Sequence, residues 1–509
     1  MHPQEIGLTT QLGVVAAGHE LSARAGADAL RAGGNAVDAA LAAMLTAFTC
    51  EPLLTGLGAG GYMLVRPETG QAPVLLDFFV EAPGRRDSGS GGRSRAELVP
   101  VPVSFGDAVQ IFNVGPASVG TYGVPAGVAV ASSRFGRLPL PELVAPAAEL
   151  ARRGAALTRQ QAYVVEILGG LVTATPEAAA IFAPEGELLK TGDVIRQPGV
   201  ADALEQLGEE GAEPFYRGEI AERVVGWLKQ RGGLVSREDL AAYRVIDRPP
   251  VRVAYRGRQV LTNPPPSAGG ILLAYALSRL EGASSSLEAV IEAMEASQAA
   301  RTPEFLESLG DPVGDPGFAE RFLRPGGRLG STTHVAVLDR GGMACSVTCS
   351  NGACSGVVVP GTGLHLNNML GEQDLNPLGF HRHPPGARLP SMMAPTVVLR
   401  DGLPELVLGS AGSNRIRSAI LQTILRVIDD GMRADEAVQS PRVHFEDGIV
   451  YTEPGIDVSA IDRSRYGHAA FRELNLFFGG VQAVERDAAG RFSGGGDPRR
   501  GGAAVVVEG

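Results

Sequence analysis

The sequence has few cysteines and few aromatic residues. Its 509 residues include four cysteines and one tryptophan, and aromatic residues make up 5% of the chain. Disulfide-stabilised folds carry several cysteines in a short chain, so a disulfide framework is not expected. Cys345, Cys349 and Cys354 lie close together, but their C-x3-C-x4-C spacing lacks the histidine pair or second C-x-x-C of a zinc site. We therefore expect free thiols in a reducing compartment, with no metal and no cofactor.

An excess of positive charge is also missing. Lys and Arg number 45 against 56 Asp and Glu, which gives a net charge of −11. Binding to nucleic acid over a broad surface requires a basic stripe, so no nucleic-acid partner is expected. The apolar fraction of 44% and the charged fraction of 20% are typical of a folded chain and exclude a disordered one.

The third absence is that of long hydrophobic runs. The longest weakly polar stretch, Ala36–Cys50, is shorter than a membrane span and contains Asp38. The N-terminal segment has no basic residue before Arg24 and no apolar core of signal-peptide length. These features predict no membrane association, no secretory signal and a cytoplasmic location.

The pattern of the chain changes along its length. Asn35 is a suitable N-cap, and apolar residues follow it at helical spacing from Val37 to Phe48. In the last third the segments THVAVLD, ACSVTCS, TVVLR and ELVLG predict strands. Helices first and strands later indicate an α+β fold whose layers share one core. The other predicted helices span residues 140–153, 220–231, 287–300 and 416–428.

Residues Gly56 to Gly61 satisfy the pattern G-x-G-x-x-G. A dinucleotide site needs a strand before this motif and a helix after it, so that helix amides meet the pyrophosphate. Here a predicted helix precedes the motif and a predicted strand, Tyr62 to Arg66, follows it. We therefore interpret it as a tight glycine turn where backbones approach closely.

A β-hairpin near residue 340 carries the first chemical signal. With a turn at Arg340 to Gly342, the register places Thr332 opposite Ser350, so that two hydroxyls meet on one face. A threonine becomes an effective nucleophile when its own α-amine is the base, which requires cleavage between Ser331 and Thr332. The hairpin alone is also compatible with an ordinary pair of strands that begins with β-branched residues.

The second signal is a glycine-rich turn at residues 409–414. It joins a predicted strand ending at Leu408 to the predicted helix that begins near Ile416. Backbone amides at such a helix start are unpaired and can stabilise an oxyanion during acyl transfer. A simple Ser or Asn N-cap explains the turn equally well.

At these positions the sequence resembles the γ-glutamyltransferase family of N-terminal-nucleophile hydrolases. The resemblance extends over nearly the whole chain and is specific because several motifs occur together. They are Ala32–Ala40, Gly56–Tyr62, Pro214–Gly218, Pro264–Gly270, Thr332–His334 with Asp339, Gly361–Gly363, Leu366–Asn368, Pro390–Met393 and Gly409–Ile416.

The resemblance implies a four-layer αββα sandwich formed by two fragments of one self-cleaved precursor. The fragments would be residues 1–331, mostly helical with strands from its N-terminal part, and residues 332–509. Thr332 would be the autoprocessing residue and the nucleophile, Ser350 would orient it, and Gly412 and Ser413 would form the oxyanion hole. Asn351 matches a residue near the α-amine of the substrate.

The sequence departs from the family where the glutamyl group is recognised. Phe79 stands where the family places an arginine for the substrate carboxylate, and a pair of serines is represented by Ser391 and Met392. The acidic residue for the substrate amine is either Glu372 or Asp374. Arg388 or Arg415 could replace the missing arginine, or Phe79, Met392 and Met393 could line an apolar acyl pocket. An arginine that binds a carboxylate with two hydrogen bonds cannot be replaced by an aromatic ring.

Three functions remain open at this point. The first is a γ-glutamyltransferase-like enzyme that cleaves glutathione-like amides and passes the acyl group to water or an amine. The second is an amidase or acylase with the same nucleophile and a non-glutamyl acyl group. The third is an unprocessed scaffold that only binds a ligand. The expected protein partner is the chain's own cleaved fragment, as a heterodimer or a dimer of heterodimers.

His334 is expected to be a packing residue, and His381 and His383 to lie in a surface loop.

Overall fold

The computed structural model of the chain describes residues 11–68, 70–85, 97–104, 109–302, 305, 309, 332–376 and 379–509. Two β-sheets form its centre. In sheet order, the seven strands of the first sheet are Ala503–Glu508, Gln11–Ala17, Thr333–Asp339, Ala344–Ser350, Gly60–Arg66, Val74–Phe78 and Ile246–Arg248. The six strands of the second sheet are Phe492–Gly496, Gly480–Arg486, Leu403–Ala411, Thr396–Arg400, Arg258–Thr262 and Val251–Tyr255.

The two sheets pack face to face, with helices on both outer surfaces. Glu20–Arg31 and Ala36–Cys50 cover the first sheet, whereas Ala268–Leu280 and Arg415–Ile428 cover the second. The residues between the sheets form one buried apolar cluster, to which both sheets contribute. From the first sheet it includes Val14, Tyr62, Ala336 and Leu338, and from the second Leu261, Val397, Val407 and Val484. The predicted α+β fold with four αββα layers is therefore confirmed.

The helix predicted after Asn35 spans Ala36–Cys50 and begins with a capping box. The Asn35 side chain accepts from the amides of Val37 and Asp38 at 2.9 and 3.1 Å, and Asp38 Oδ2 accepts from the Asn35 amide at 2.9 Å. All fifteen of its residues are buried, not only the predicted apolar face. The reason is that the Leu140–Arg153 helix packs on the side away from the sheet, where alanines allow close approach.

Among the residues that the structure describes, the further helices with given bounds lie between residues 124 and 299 and between 434 and 439. They are Val124–Phe135, Arg159–Ile167, Gly169–Val172, Pro176–Phe182, Pro198–Glu210, Glu213–Tyr216, Glu219–Lys229, Arg237–Ala242, Leu287–Ala299 and Ala434–Gln439. Short 3-10 helices are Pro116–Ser118, Met369–Gly371, Gln373–Leu375, Val458–Ala460, Leu476–Phe478 and Pro498–Arg500. Smaller sheets pair Val99–Ser104 with Val109–Val114, Ala155–Ala156 with Val194–Ile195, and Val443–Glu446 with Ile449–Thr452 and Gly467–Ala470.

The predicted glycine turn between helix and strand is confirmed. The helix ends at Cys50, and the next strand begins at Gly60. A Cβ on Gly58 would lie 2.4 Å from the carbonyl oxygen of His365, and one on Gly61 would lie 2.5 Å from that of Thr348. Only glycine permits these close backbone approaches, and no phosphate has to be invoked.

Both sheets contain strands from both sides of residue 332. Gln11–Ala17 pairs with Ala503–Glu508 on one edge and with Thr333–Asp339 on the other. Arg258–Thr262 likewise pairs with Thr396–Arg400. A chain cut before Thr332 would therefore keep both fragments in one hydrogen-bonded core. Among the described residues, the structure has no helix with the length and apolar character that a membrane span requires.

Candidate active site

The hairpin that carries Thr332 has the predicted register. Thr333 pairs with Cys349, and the pairing continues in step to Leu338 and Ala344. One pair beyond Thr333, the same register brings Thr332 opposite Ser350. Both residues are buried. Ser331, the other side of the predicted cleavage point, lies outside the described residues.

Contacts between the sheets show where the open end of this hairpin leads. The His334 ring lies 2.3–2.6 Å from the position that a Cβ on Gly409 would occupy. Ser346, further into the hairpin, donates through Oγ to the carbonyl oxygen of Leu408 at 3.0 Å. From Ser346 to His334, which is the direction toward the open end of the hairpin, the contacted residue of the opposite strand therefore advances from Leu408 to Gly409. Thr332 extends toward the end of that strand, where the glycine-rich loop begins.

The glycine-rich loop holds two consecutive residues at positive φ. Gly412 has a φ of 113° and Ser413 a φ of 59°. Successive left-handed residues turn backbone amides into an anion-binding concavity. Strain at a non-glycine residue of this kind is concentrated at functional sites. The carbonyl oxygens of Gly412 and Ser413 accept from the amides of Arg415 and Ile416 at 3.1 and 3.0 Å, which starts the Arg415–Ile428 helix.

A buried carboxylate holds this loop in place. Glu446 Oε1 accepts from Asn414 Nδ2 at 3.0 Å, immediately after the loop. Burial opposes the charge on Glu446, but the His444 ring 3.7 Å away, Arg415 and the Asn414 hydrogen bond lower its pKa to about 2. Glu446 is therefore a carboxylate at neutral pH. Glu446 could not be identified from the sequence, because it lies 32 residues from Asn414 and its strand has no motif of its own.

The polar residues that follow the second hairpin strand form a compact cluster. Ser350 Oγ accepts from the amide of Gly352 at 2.8 Å. Asn351 is fully buried, and within the described part of the chain neither atom of its side-chain amide has a hydrogen-bond partner. Buried polar groups without partners are rare in folded proteins and indicate a ligand or a water. Asn351 is thus placed as a ligand-binding residue would be.

Glu372 lies beside Asn351. Its Oε1 accepts from the amide of Ala353 at 2.9 Å. A Cβ on Gly352 would lie 3.0 Å from the same oxygen, so Glu372 packs directly on the turn after Asn351. Glu372 is the one of the two predicted acids whose position can be given, because the side chain of Asp374 lies outside the described residues.

Ser391 and Met392 form part of a turn against the second sheet. Ser391 Oγ accepts from the amide of Met393 at 3.0 Å. Met392 packs with Ile271 and Leu272 outside the sandwich, whereas Met393 and Phe79 lie in the core between the sheets. All three apolar side chains are buried. Phe79 and Met393 therefore belong to one apolar cluster and Met392 to another.

Phe79 stacks on Tyr62 with 5.2 Å between ring centroids. Arg388 lies next to Phe79 and contacts its backbone. Arg388 forms ion pairs with Asp77 at 3.2 Å and with Glu81 at 2.9 Å. Its guanidinium also stacks on the Tyr243 ring at 4.4 Å. Arg388 is thus held by the protein's own carboxylates, and it does not replace the missing arginine in this structure.

Arg415 is the other residue considered as a replacement for the missing arginine. Its side chain packs against Phe477. Its Nε donates to the carbonyl oxygen of Phe477 at 2.8 Å, and its guanidinium lies over the Phe477 ring at 4.4 Å. Both candidate arginines are therefore engaged by protein groups.

The histidines have the structural roles that were predicted. His334 is fully buried, and its Nδ1 lies 2.8 Å from Thr348 Oγ1. Burial lowers its pKa to about 3, so it stays neutral and packs. His381 and His383 lie in a partly exposed loop, where each ring meets a backbone carbonyl oxygen, at 3.0 and 2.9 Å. All four cysteines are free and buried, as predicted.

A second buried acid near Thr332 was not found from the sequence. Glu51 is 1% exposed, and its Oε2 accepts from Thr333 Oγ1 at 3.0 Å. Burial raises its pKa to about 7, although the Thr333 hydrogen bond and Arg500 act against that rise. A signal was available, because an acid directly at the C-terminal end of a buried apolar helix is unfavourable for the helix dipole.

Comparisons with known proteins show which family the chain resembles. The family model described as "Gamma-glutamyltranspeptidase" matches residues 22–507. The glutathione hydrolase proenzyme of Escherichia coli (strain K12) is 31% identical, with 96% of this chain and 90% of that protein covered. The acylase ACY 1 proenzyme of Pseudomonas sp. (strain SE83) is 30% identical, with 98% and 94% covered.

A solved structure supports the fold over the same length. The crystal structure of cephalosporin acylase from Bacillus halodurans superimposes with a TM-score of 0.81 at 27% sequence identity. The match covers 100% of this chain and 99% of that one. A protein named as an acylase therefore has the same architecture over its full length.

Proposed function

The chain belongs to the gamma-glutamyltranspeptidase family, and from that premise we propose that it is a self-processing amidase that forms an acyl-enzyme on Thr332. The coarser assignment, an enzyme of the N-terminal-nucleophile hydrolase type, follows from family membership. One observation carries the proposal: Thr332 and the left-handed loop at Gly412 and Ser413 belong to the same end of the sandwich.

Maturation would be a cleavage between Ser331 and Thr332. Thr332 Oγ1 attacks the carbonyl carbon of residue 331, the C–N bond breaks, and the nitrogen takes a proton. Water then hydrolyses the resulting ester, which leaves a carboxylate on residue 331 and a free α-amine and hydroxyl on Thr332. Fragments 1–331 and 332–509 would stay together as a heterodimer, because each sheet contains hydrogen-bonded strands from both fragments. Relatives named as proenzymes support this step.

In the mature protein the α-amine of Thr332 would be the general base. A free α-amino group has a pKa of about 7.7–8.0, so a substantial part of it is neutral near physiological pH. The amine accepts the hydroxyl proton as Oγ1 attacks the substrate carbonyl. Backbone amides of Gly412 and Ser413 would stabilise the oxyanion. The leaving amine then takes the proton, and water or an acceptor amine releases the acyl group.

The first candidate for the acyl group is γ-glutamyl, as in glutathione-like amides. Its support is the cluster after Ser350. The buried amide of Asn351 and the carboxyl group of Glu372 lie next to each other, and together they suit the α-ammonium group of such a substrate. Ser391 is the remaining polar residue of the expected carboxylate side.

The second candidate is an acyl group without an α-carboxylate. Phe79 is buried against Tyr62, and Arg388 is paired with Asp77 and Glu81, so neither residue offers a free guanidinium group to a carboxylate. The similarity to proteins named acylases points in the same direction. These observations favour selection of the acyl group by shape and by its ammonium group.

The first test is the intact mass of the purified protein. We expect two fragments whose masses match residues 1–331 and 332–509. A correctly folded protein that remains one chain for days would contradict the proposal and favour a binding scaffold.

The second test compares substrates. A γ-glutamyl anilide, its analogue without the α-carboxylate, and a simple apolar acyl anilide are assayed side by side with the processed protein. Turnover of the glutamyl compound alone would establish the first candidate. Equal or faster turnover of the analogue that lacks the carboxylate would establish the second.

A further inference from the structure

Glu51 is a buried carboxyl group that the proposed mechanism does not use. It lies at the C-terminal end of the Ala36–Cys50 helix, where the helix dipole disfavours negative charge. Its Oε2 accepts from Thr333 Oγ1 at 3.0 Å, one residue from the candidate nucleophile. A buried acid in such a position is costly for the fold, which calls for a reason outside stability.

The turn that starts at Glu51 contacts both strands of the hairpin. The carbonyl oxygen of Glu51 accepts from the amides of Leu54 and Thr55 at 2.9 and 3.2 Å. The carbonyl oxygen of Leu54 in turn accepts from the amide of Asn351 at 3.0 Å. Through its side chain Glu51 holds Thr333, and through this turn it holds the strand that ends in Ser350. The segment therefore fixes both residues that flank the expected nucleophile pair.

The other carboxylate oxygen, Glu51 Oε1, is closely packed against the protein backbone. A Cβ on Gly18 would lie 2.4 Å from Glu51 Oε1, so the backbone at Gly18 packs directly on the carboxyl group. His19 follows Gly18, and burial lowers its pKa, which keeps it neutral. Cys50 precedes Glu51, and burial raises the pKa of its thiol far above neutrality.

A positive charge lies beside the candidate oxyanion loop. Arg500 Nη2 is 3.6 Å from the position of a Cβ on Gly412, in the candidate oxyanion loop. The stem of Arg500 packs against Gly480, and its Nη2 donates to the carbonyl oxygen of Leu476 at 3.4 Å. Arg500 is the cation that acts on Glu51. The Glu51 carboxyl group thus contacts the start of the nucleophile strand, and the Arg500 guanidinium lies beside the candidate oxyanion loop, where Asp497 also acts on it.

We propose that Glu51 is a positioning residue that fixes Thr332 through Thr333, and that Glu51 and Arg500 together set the proton affinity of the α-amine that cleavage creates. This inference rests on the proposed function, because it concerns the base of the same reaction. A carboxylate near an ammonium group favours the charged form and raises the pKa of the amine, whereas a guanidinium group lowers it.

The acid-base properties of the two groups suit this role. Burial raises the pKa of Glu51 to about 7, close to the 7.7–8.0 or so of a free α-amine. Two interacting groups with similar pKa values titrate as a pair rather than separately. Below pH 7 the carboxyl group is mostly neutral and no longer favours the ammonium form. Around neutral pH one proton can be shared between Glu51 and the new chain terminus.

The test is the pH dependence of kcat/KM for an acyl anilide with three processed proteins: wild type, Glu51→Gln and Arg500→Gln. Activity requires the neutral amine, so it rises with pH along an acidic limb. Glu51→Gln removes the negative charge and should move this limb to lower pH by about one unit, whereas Arg500→Gln should move it to higher pH by a similar amount. Glutamine can still accept the Thr333 hydrogen bond. Shifts in the same direction, or no shift in either variant, would overturn the inference.

Two further measurements separate a charge effect from loss of structure. Glu51→Asp keeps the charge and should leave the acidic limb within about 0.3 unit of wild type, even if kcat falls. The amine can also be titrated directly, by following methylation of the Thr332 terminus with pH by mass spectrometry, which works without turnover. If Glu51→Gln is not processed, the Arg500→Gln titration decides, and an unshifted midpoint contradicts the inference. An uncleaved or inactive wild type would instead remove the proposed function.

Discussion

The two ends of the candidate site are built on opposite principles. The acyl-transfer end, formed by Thr332, Ser350, Gly412 and Ser413, is made of hydroxyls and of a strained backbone loop. At the recognition end, around Phe79 and Arg388, aromatic stacking and ion pairs satisfy the side chains within the protein. Catalysis requires groups that the fold leaves available for the substrate. The charged groups named at the recognition end are instead paired with one another. In the proposed function, reaction type and acyl specificity are therefore assigned to separate parts of the molecule.

Thr332→Ala should have the largest effect. It removes both the nucleophile and the hydroxyl that starts self-cleavage, so the chain should stay intact and amide turnover should fall by about 10⁴-fold or more. Intact mass and an anilide assay measure the two losses. Thr332→Ser is the matched control, because it keeps a hydroxyl and an amine, and it should still be cleaved. Normal processing of Thr332→Ala would assign the cleavage to another residue.

Removing the buried guanidinium of the recognition end should lower stability rather than turnover. Arg388→Met leaves Asp77 and Glu81 without one cation in the core, although Arg248 and Arg85 still contact them at 2.7 Å each. We expect a loss of about 3 kcal/mol in the free energy of unfolding, measured by urea denaturation of the uncleaved Thr332→Ala background.

The matched control is Arg85→Met, which removes a partly exposed partner of the same Glu81. It should cost less than about 1 kcal/mol. If Arg388→Met instead abolished γ-glutamyl turnover and left stability unchanged, Arg388 would be a substrate ligand, and the contrast between the two ends would be lost.

The features that the sequence made predictable are local ones. The hairpin register followed from a short turn and alternating strands, and the glycine turn at residues 56–61 followed from its neighbours. The groups that were missed act over long separations. Glu51 and Thr333 lie 282 residues apart, and Arg388 and Glu81 lie 307 apart. No local pattern contains such a pair, because the sandwich brings distant strands together. The burial of Phe79 and the pairing of Arg388 likewise depend on the assembled core.

Glu372→Gln should separate substrates by their ammonium group. Glutamine keeps an acceptor for the Ala353 amide but loses the charge that would face a substrate α-ammonium. A hydrogen bond to a charged group contributes about 1.5–3 kcal/mol, so kcat/KM for a γ-glutamyl anilide should fall by about 10- to 100-fold. The same variant should treat an acyl anilide without the amine almost as wild type does. Equal losses on both substrates would make Glu372 a structural residue.

Ser413→Gly should have the smallest effect, because its backbone rather than its side chain is proposed to act. Serine at a φ of 59° is strained by about 1–2 kcal/mol, and glycine relieves this while it adds entropy to the unfolded chain worth about 0.4–1 kcal/mol. Stability should therefore rise by about 1 kcal/mol or less, and kcat should stay within about twofold, since the oxyanion would be held by amides. Ser413→Val, which is β-branched and disfavours positive φ, should lower both. A tenfold fall in kcat for the glycine variant would show that the hydroxyl of Ser413 takes part, and the acyl-transfer end would then depend on a side chain that its backbone geometry does not require.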